Sequence, residues 1–202
     1  MAYNTYDAFA RDFNQTWGAE RGNVEPRRAY NIYTHGLNQG PTNGLTIGLI
    51  PILERAHIPN LGSVFEGGQI FVDDLPPPQN RWRIFLNDCF ILGGIHSHGE
   101  FRLVGVNSVV DTPDSGLVAD PGAQPQLNHV RDPQAQFNLK VTQREVIGLN
   151  TFGYTGGNFP IQNERRFRCA RPDLADAATL RAYRDEVERV EGALRAGPVP
   201  PG

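Results

Sequence analysis

The sequence predicts an α+β protein: a central, mainly antiparallel or mixed sheet flanked by an N-terminal helix and a long C-terminal amphipathic helix. Three observations carry this. Apolar residues recur three and four apart near the start (Tyr6, Phe9, Ala10, Phe13, Trp17), and the same stepping returns near the end (Leu180, Tyr183, Val187, Val190, Leu194), which is the spacing of one helix face. Between them, the stretches 63–75, 81–90 and 90–110 carry β-type patterning, with Trp82, Ile84 and Leu86 alternating against Arg83 and Asn87. With 202 residues and no evident linker, one domain is expected over 1–197, with 198–202 as a flexible tail.

Asn4 or Thr5 is positioned to cap the first helix. Pro26 opens an extended piece in which Tyr30, Ile32 and Thr34 alternate with polar neighbours, and Gly40-Pro41-Thr42-Asn43-Gly44 is a turn cluster. The apolar segment 45–58 reads as a short extended stretch followed by a helix from about Pro51. Pro76-Pro77-Pro78 ends the strand at 63–75, because proline cannot continue a central ladder. Residues 111–136 contain Pro113, Pro121, Pro125 and Pro133 and few large apolar side chains; a long irregular segment of this kind is a functional lid or a floppy insertion. Strand patterning resumes over 137–154, and 153–158 reads as a loop. Pro172 and Asp173 start the final helix, and Gly197-Pro198 stops it. Its apolar stripe is expected to pack on the chain's own sheet.

Composition removes several classes. A chain this long buries a large core unaided, so a metal would be functional before structural. The net charge is -3 and the 19 Lys and Arg are scattered, Lys140 being the one lysine, so no nucleic-acid partner is expected. No apolar run of membrane-spanning length and no Sec-type leader is present; the expected location is cytoplasmic, or outside the cell by a non-Sec route. Cys89 and Cys169 lie in no CxxC and are expected as buried free thiols.

The chemistry-bearing stretch is Phe90–Asp111. On a strand, His96, His98 and Glu100 would share one face, with two imidazole Cβ atoms about 7 Å apart, within reach of one zinc ion. Asp111 is a further ligand candidate, and Glu100 competes with it for the carboxylate position. Ser108 precedes Asp111 by three residues, Glu66 lies on the preceding strand region, and Gly67, Gly68, Gly93, Gly94 and Gly99 would allow backbone to approach a substrate closely.

Taken in order, Glu66, G-I-H-S-H-G at 94–99 and S-V-V-D at 108–111 resemble the JAB/MPN metalloprotease pattern. The resemblance implies zinc held by His96, His98 and Asp111, Glu66 as general base on the zinc-bound water, and Ser108 stabilising the oxyanion. The implied activity is zinc-dependent hydrolysis of a peptide or isopeptide bond in a protein substrate, and variants of this family occur among bacterial toxins and effectors. Gly99 stands where the family has proline, twelve residues separate His98 from Asp111, and the resemblance covers 46 residues, Glu66 to Asp111. Two other enzyme patterns fail. The zinc deaminase signature lacks its P-C-x-x-C half, and a Cys89/His96 pair on one strand would face opposite ways. The reading of a different class is a non-enzymatic, β-rich structural or interaction protein, such as an assembly or virion component, in which His96 and His98 are ordinary strand residues.

Overall fold

Helix α1 (Tyr6–Trp17) begins at the expected cap: the Thr5 hydroxyl, on extended backbone, accepts the Ala8 amide at 3.3 Å, satisfying a first-turn N–H that has no partner inside the helix. The computed structural model describes residues 2–18, 26–48, 79–104, 144–158 and 164–196. The strand at 63–75, the helix from Pro51, the loop at 111–136 and the tail at 198–202 lie outside the described residues.

Helix α2 (Pro26–Asn43) replaces the expected extended piece and turn cluster. Pro26 fits a first helical turn, where its missing N–H costs nothing. Tyr30 and Ile32 do alternate with polar residues, but the buried positions are Ala29, Tyr33 and Gly36, at helical spacing. Gly44, at φ +67, closes the helix in a conformation that suits glycine.

Helix α3 (Gln79–His96) overturns the strand expected over 81–90 and through the two histidines. Every residue from Leu86 to His96 is buried. A helix enclosed on all sides has no polar face, so the period that would reveal it is absent from the sequence. Residues 144–151 are likewise helical rather than extended.

The sheet is small and mixed, which keeps the α+β class. Strands β1 (Leu45–Gly48), β2 (Phe101–Val104), β3 (Tyr154–Asn158) and β4 (Glu164–Cys169) stand in the order β1-β2-β4-β3. β1 and β2 are parallel; β2 with β4 and β3 with β4 are antiparallel. Of the densely patterned region 63–110, only β2 is a strand among the described residues. β3 occupies the segment expected as a loop, and β4 was not anticipated.

The C-terminal helix exists with a break. α4 (Pro172–Ala177) ends at Ala178, and α5 (Leu180–Ala196) restarts with the Thr179 hydroxyl accepting the Ala182 amide at 3.2 Å. Leu180, Tyr183 and Val187 are buried, but against α1 and α3 rather than the sheet. Arg184 clasps α1 by donating to the Thr16 carbonyl.

The core is aromatic. Tyr3, Phe9, Tyr30 and Tyr33 meet at centroid distances of 5.3–6.2 Å, and Phe101 meets Tyr154 edge-on at 5.3 Å. α2 and α3 cross at glycines, with Gly36 against the backbone of Phe90 and Gly93 against that of Tyr33. Behind this crossing, Asp88 of α3 receives both Nε (3.0 Å) and Nη2 (2.7 Å) of Arg144, and Asn87 donates to Glu145 at 2.7 Å. A buried charge of this kind needs its partner, since breaking such a pair costs about 3–5 kcal/mol. Among the described residues no helix is long and apolar enough to cross a membrane.

Candidate functional site

The H-S-H segment is the C-terminal cap of α3, and that cap sends its two histidines to different places. The Gly99 amide donates to the Gly94 carbonyl at 3.1 Å and the His98 amide to the Ile95 carbonyl at 3.0 Å. These are the paired bonds of a Schellman cap, whose closing residue takes the left-handed conformation usual for glycine. His98 fills that position at φ 55, the one non-glycine residue with positive φ among those described. Holding a side chain there costs about 1 kcal/mol or more, although Gly99 is the next residue.

His96 turns inward. Its Nε2–H donates to the Ala178 carbonyl, and its Nδ1 accepts from the Tyr33 hydroxyl at 2.8 Å. Tyr33 in turn accepts the Tyr3 amide at 3.0 Å, and Tyr3 donates to Asp12 at 2.8 Å and accepts from the Leu180 amide at 2.8 Å. This network joins α1, α2, α3 and the α4–α5 junction. Burial holds the His96 imidazole neutral, lowering its pKa to about 4, and pushes the Tyr33 hydroxyl up to about 12.

His98 turns outward and meets two groups that the sequence keeps 71 and 78 residues away: Cys169 Sγ stands 3.7 Å from Nδ1, and Asp176 Oδ1 stands 2.9 Å from Nε2. An ionised carboxylate only accepts, so Asp176 assigns the proton to Nε2 and leaves the Nδ1 lone pair facing the thiol. Cys169 ends β4, and the chain then turns at Ala170 and Arg171, whose amides both donate to the Gly153 carbonyl at 2.8 and 3.1 Å. Gly153 takes φ +81 with the Arg171 backbone packed on it. That turn launches α4, which presents Asp176. The Cys169 thiol is half-buried, and burial first, then the charges of Asp176 and Asp173, raise its pKa. It therefore rests as a thiol, to be deprotonated during attack rather than beforehand.

The expected metal constellation is only partly within the described residues. Glu66, Ser108 and Asp111 lie outside them. The placement of His96 and His98 on one strand face is overturned, because α3 ends at His96 and both nitrogens of its ring are engaged inside the protein. Glu100 faces three arginines rather than the histidines. Cys169 and Asp176 approach opposite nitrogens of His98, so they form a chain rather than a chelate. Among the described residues no group of three or more His, Cys, Asp or Glu side chains is arranged to hold a metal ion. Cys169 and Asp176 went unrecognised because their partner is distant in sequence, and a lone cysteine carries no local signature. Both cysteines are free, and Cys89 is enclosed in the core. No family model matches the chain, and no curated protein or solved structure matches it.

Proposed function

We propose that the chain is a thiol-dependent acyl hydrolase or acyl transferase, with Cys169 as nucleophile, His98 as general base and then acid, and Asp176 orienting the imidazole. The observation that carries this reading is the Cys169–His98–Asp176 chain, in which the tautomer fixed by the carboxylate is the one that can take the thiol proton. The strained backbone at His98 supports it, since a glycine there would close the helix at lower cost.

In the forward step Sγ attacks a carbonyl carbon and its proton passes to His98 Nδ1. The tetrahedral intermediate collapses to a thioester as Nδ1 returns the proton to the leaving group. Water, deprotonated by the same nitrogen, or an acceptor nucleophile, then releases the acyl group and restores the thiol. The Ala170 and Arg171 amides already serve the Gly153 carbonyl, so donors to the oxyanion must come from elsewhere around the site.

The test is acylation of the full chain by p-nitrophenyl acetate, with the acetylated cysteine located by mass spectrometry and Cys89 as the internal control. Cys169 should acylate first. His98→Gly, which relieves the positive φ and so keeps the fold, should slow that step by about 10²-fold, and Asp176→Asn should slow it by about tenfold or more. An unchanged rate in His98→Gly would sink the reading and favour a non-catalytic interaction protein.

The H-S-H resemblance supports a second reading, a zinc-dependent peptidase or isopeptidase that uses His96, His98 and Asp111 as ligands with Glu66 and Ser108 in catalysis. It requires the His96 ring to give up Tyr33 or Ala178. Under it, zinc-supplemented expression yields a one-to-one zinc complex that Cys169→Ser leaves intact and Asp111→Asn empties. The thiol reading expects acylation to survive chelators.

A further inference from the structure

The outer face of the sheet gathers three guanidinium groups around one carboxylate. Arg102 on β2 and Arg166 on β4 are direct cross-strand partners, and Arg168 follows two residues later on the same face as Arg166, with Phe167 between them turned into the core. Like charges directly opposite across an antiparallel pair destabilise a sheet. Here they converge on Glu100: Oε1 lies 3.8 Å from Arg102 Nε and 3.6 Å from Arg166 Nη1, and Oε2 lies 2.7 Å from Arg168 Nε. These four side chains together carry three positive charges and one negative. All are reachable by solvent, with Arg102 42 %, Arg168 65 %, Arg166 23 % and Glu100 24 % exposed.

We propose that this face binds a phosphate monoester group, whose oxygens replace the Glu100 carboxylate among Arg102, Arg166 and Arg168. A tetrahedral dianion offers acceptors in three directions at once, matching three converging guanidinium forks better than a planar, singly charged carboxylate does. Glu100 then acts as a resident competitor that holds the forks in place between ligands. Neighbouring β3 sets the exposed, small Thr155 opposite Arg168 and Gly157 opposite Arg166 on this face, leaving room for a headgroup. Single-stranded nucleic acid fits less well, because stacking of bases needs aromatic side chains and this face presents arginines. The site is separate from Cys169, which follows Arg168 on β4 and therefore points to the other side of the sheet.

Isothermal titration of the full chain with phenyl phosphate tests the proposal, against diphenyl phosphate for a diester and sodium chloride at matched ionic strength. The monoester should bind at one site, and the diester should bind about tenfold more weakly. Glu100→Gln should tighten the monoester by about tenfold by removing the competing charge, while Arg168→Gln, an exposed change that leaves the fold intact, should weaken it by about tenfold. Weaker binding in Glu100→Gln, an equal response to sodium chloride, or no heat with wild type and Glu100→Gln alike would each overturn the proposal.

Discussion

Gly93→Ala is expected to cost about 3 kcal/mol or more, enough to leave much of the population unfolded, because steric overpacking at a backbone crossing has no soft side chain to yield. A Cβ at Gly93 would meet the Tyr33 carbonyl and lie 2.8 Å from the Leu37 amide nitrogen; one at Gly36 would meet the Phe90 carbonyl and lie 3.2 Å from the Gly94 amide nitrogen. All four are backbone atoms inside helices, so relief requires moving α2 away from α3. Gly192 supplies the contrast within the same molecule. It is exposed on α5 with nothing within 4 Å of its would-be Cβ, and Gly192→Ala should stabilise by about 1 kcal/mol through helix propensity alone. Urea midpoints of the two variants are the measurement. Similar midpoints for both would mean that α2 and α3 do not cross in contact.

The same glycines explain why the fold was legible at its ends and not in its middle. α1 and α5 lie on the surface with one face buried, so Phe9, Phe13 and Trp17, and Leu180, Tyr183 and Val187, print the helical period into the sequence. α3 is enclosed from Leu86 to His96, even its polar Asn87 and Asp88 being buried against Glu145 and Arg144, and Gly93-Gly94, which lowers helix propensity by about 1 kcal/mol per residue, is present to admit another helix. An unbroken apolar run with two glycines reads equally well as a buried strand. α2 misled differently, because Tyr30, Ile32 and Thr34, half-buried at its rim, happened to alternate with polar residues. β4 escaped notice because its sequence, ERRFRC, spends its outward positions on arginine, and only Phe167 announces the core.

For the proposed thiol site, the sequence drew attention to the segment that carries His98 but not to the two residues that meet it. His98 emerged from H-S-H, but the strand reading paired it with His96, whereas the helix cap turns the two rings apart. Cys169 and Asp176 reach His98 through the β3–β4 hairpin and the Gly153 turn, and that is tertiary information with no local trace. Glu100 drew attention as a possible ligand because it follows the histidines at period 2. Its arginine partners on β4 became visible only once strand pairing was known.

Acid is expected to weaken the protein through His96 in a window set by its two protonation equilibria. In the folded chain burial lowers its pKa from 6.5 to about 4, so between those values the unfolded chain binds the proton that the folded chain refuses. Stability therefore rises with pH across that window and falls as pH drops from about 6.5 towards 4, by about 3 kcal/mol if the full difference is realised. Protonation would place a second N–H on Nδ1, where the Tyr33 hydroxyl now donates, so the Tyr33 O–H would have to turn away from His96 and leave that hydrogen bond. Tyr3, Tyr33, Asp176 and His98 surround the ring, and Asp176 partly offsets the penalty while His98 adds to it. His96→Gln keeps a donor for Ala178 and an acceptor for Tyr33 but does not titrate. The comparison is therefore the difference in urea-unfolding free energy between wild type and His96→Gln, measured at several pH values from 7 down to 4.5, a range set by the two pKa values. Effects of the carboxylates cancel in that difference. It should shift steadily against wild type as pH falls, and a difference independent of pH would mean that His96 is not held neutral between Tyr33 and Ala178.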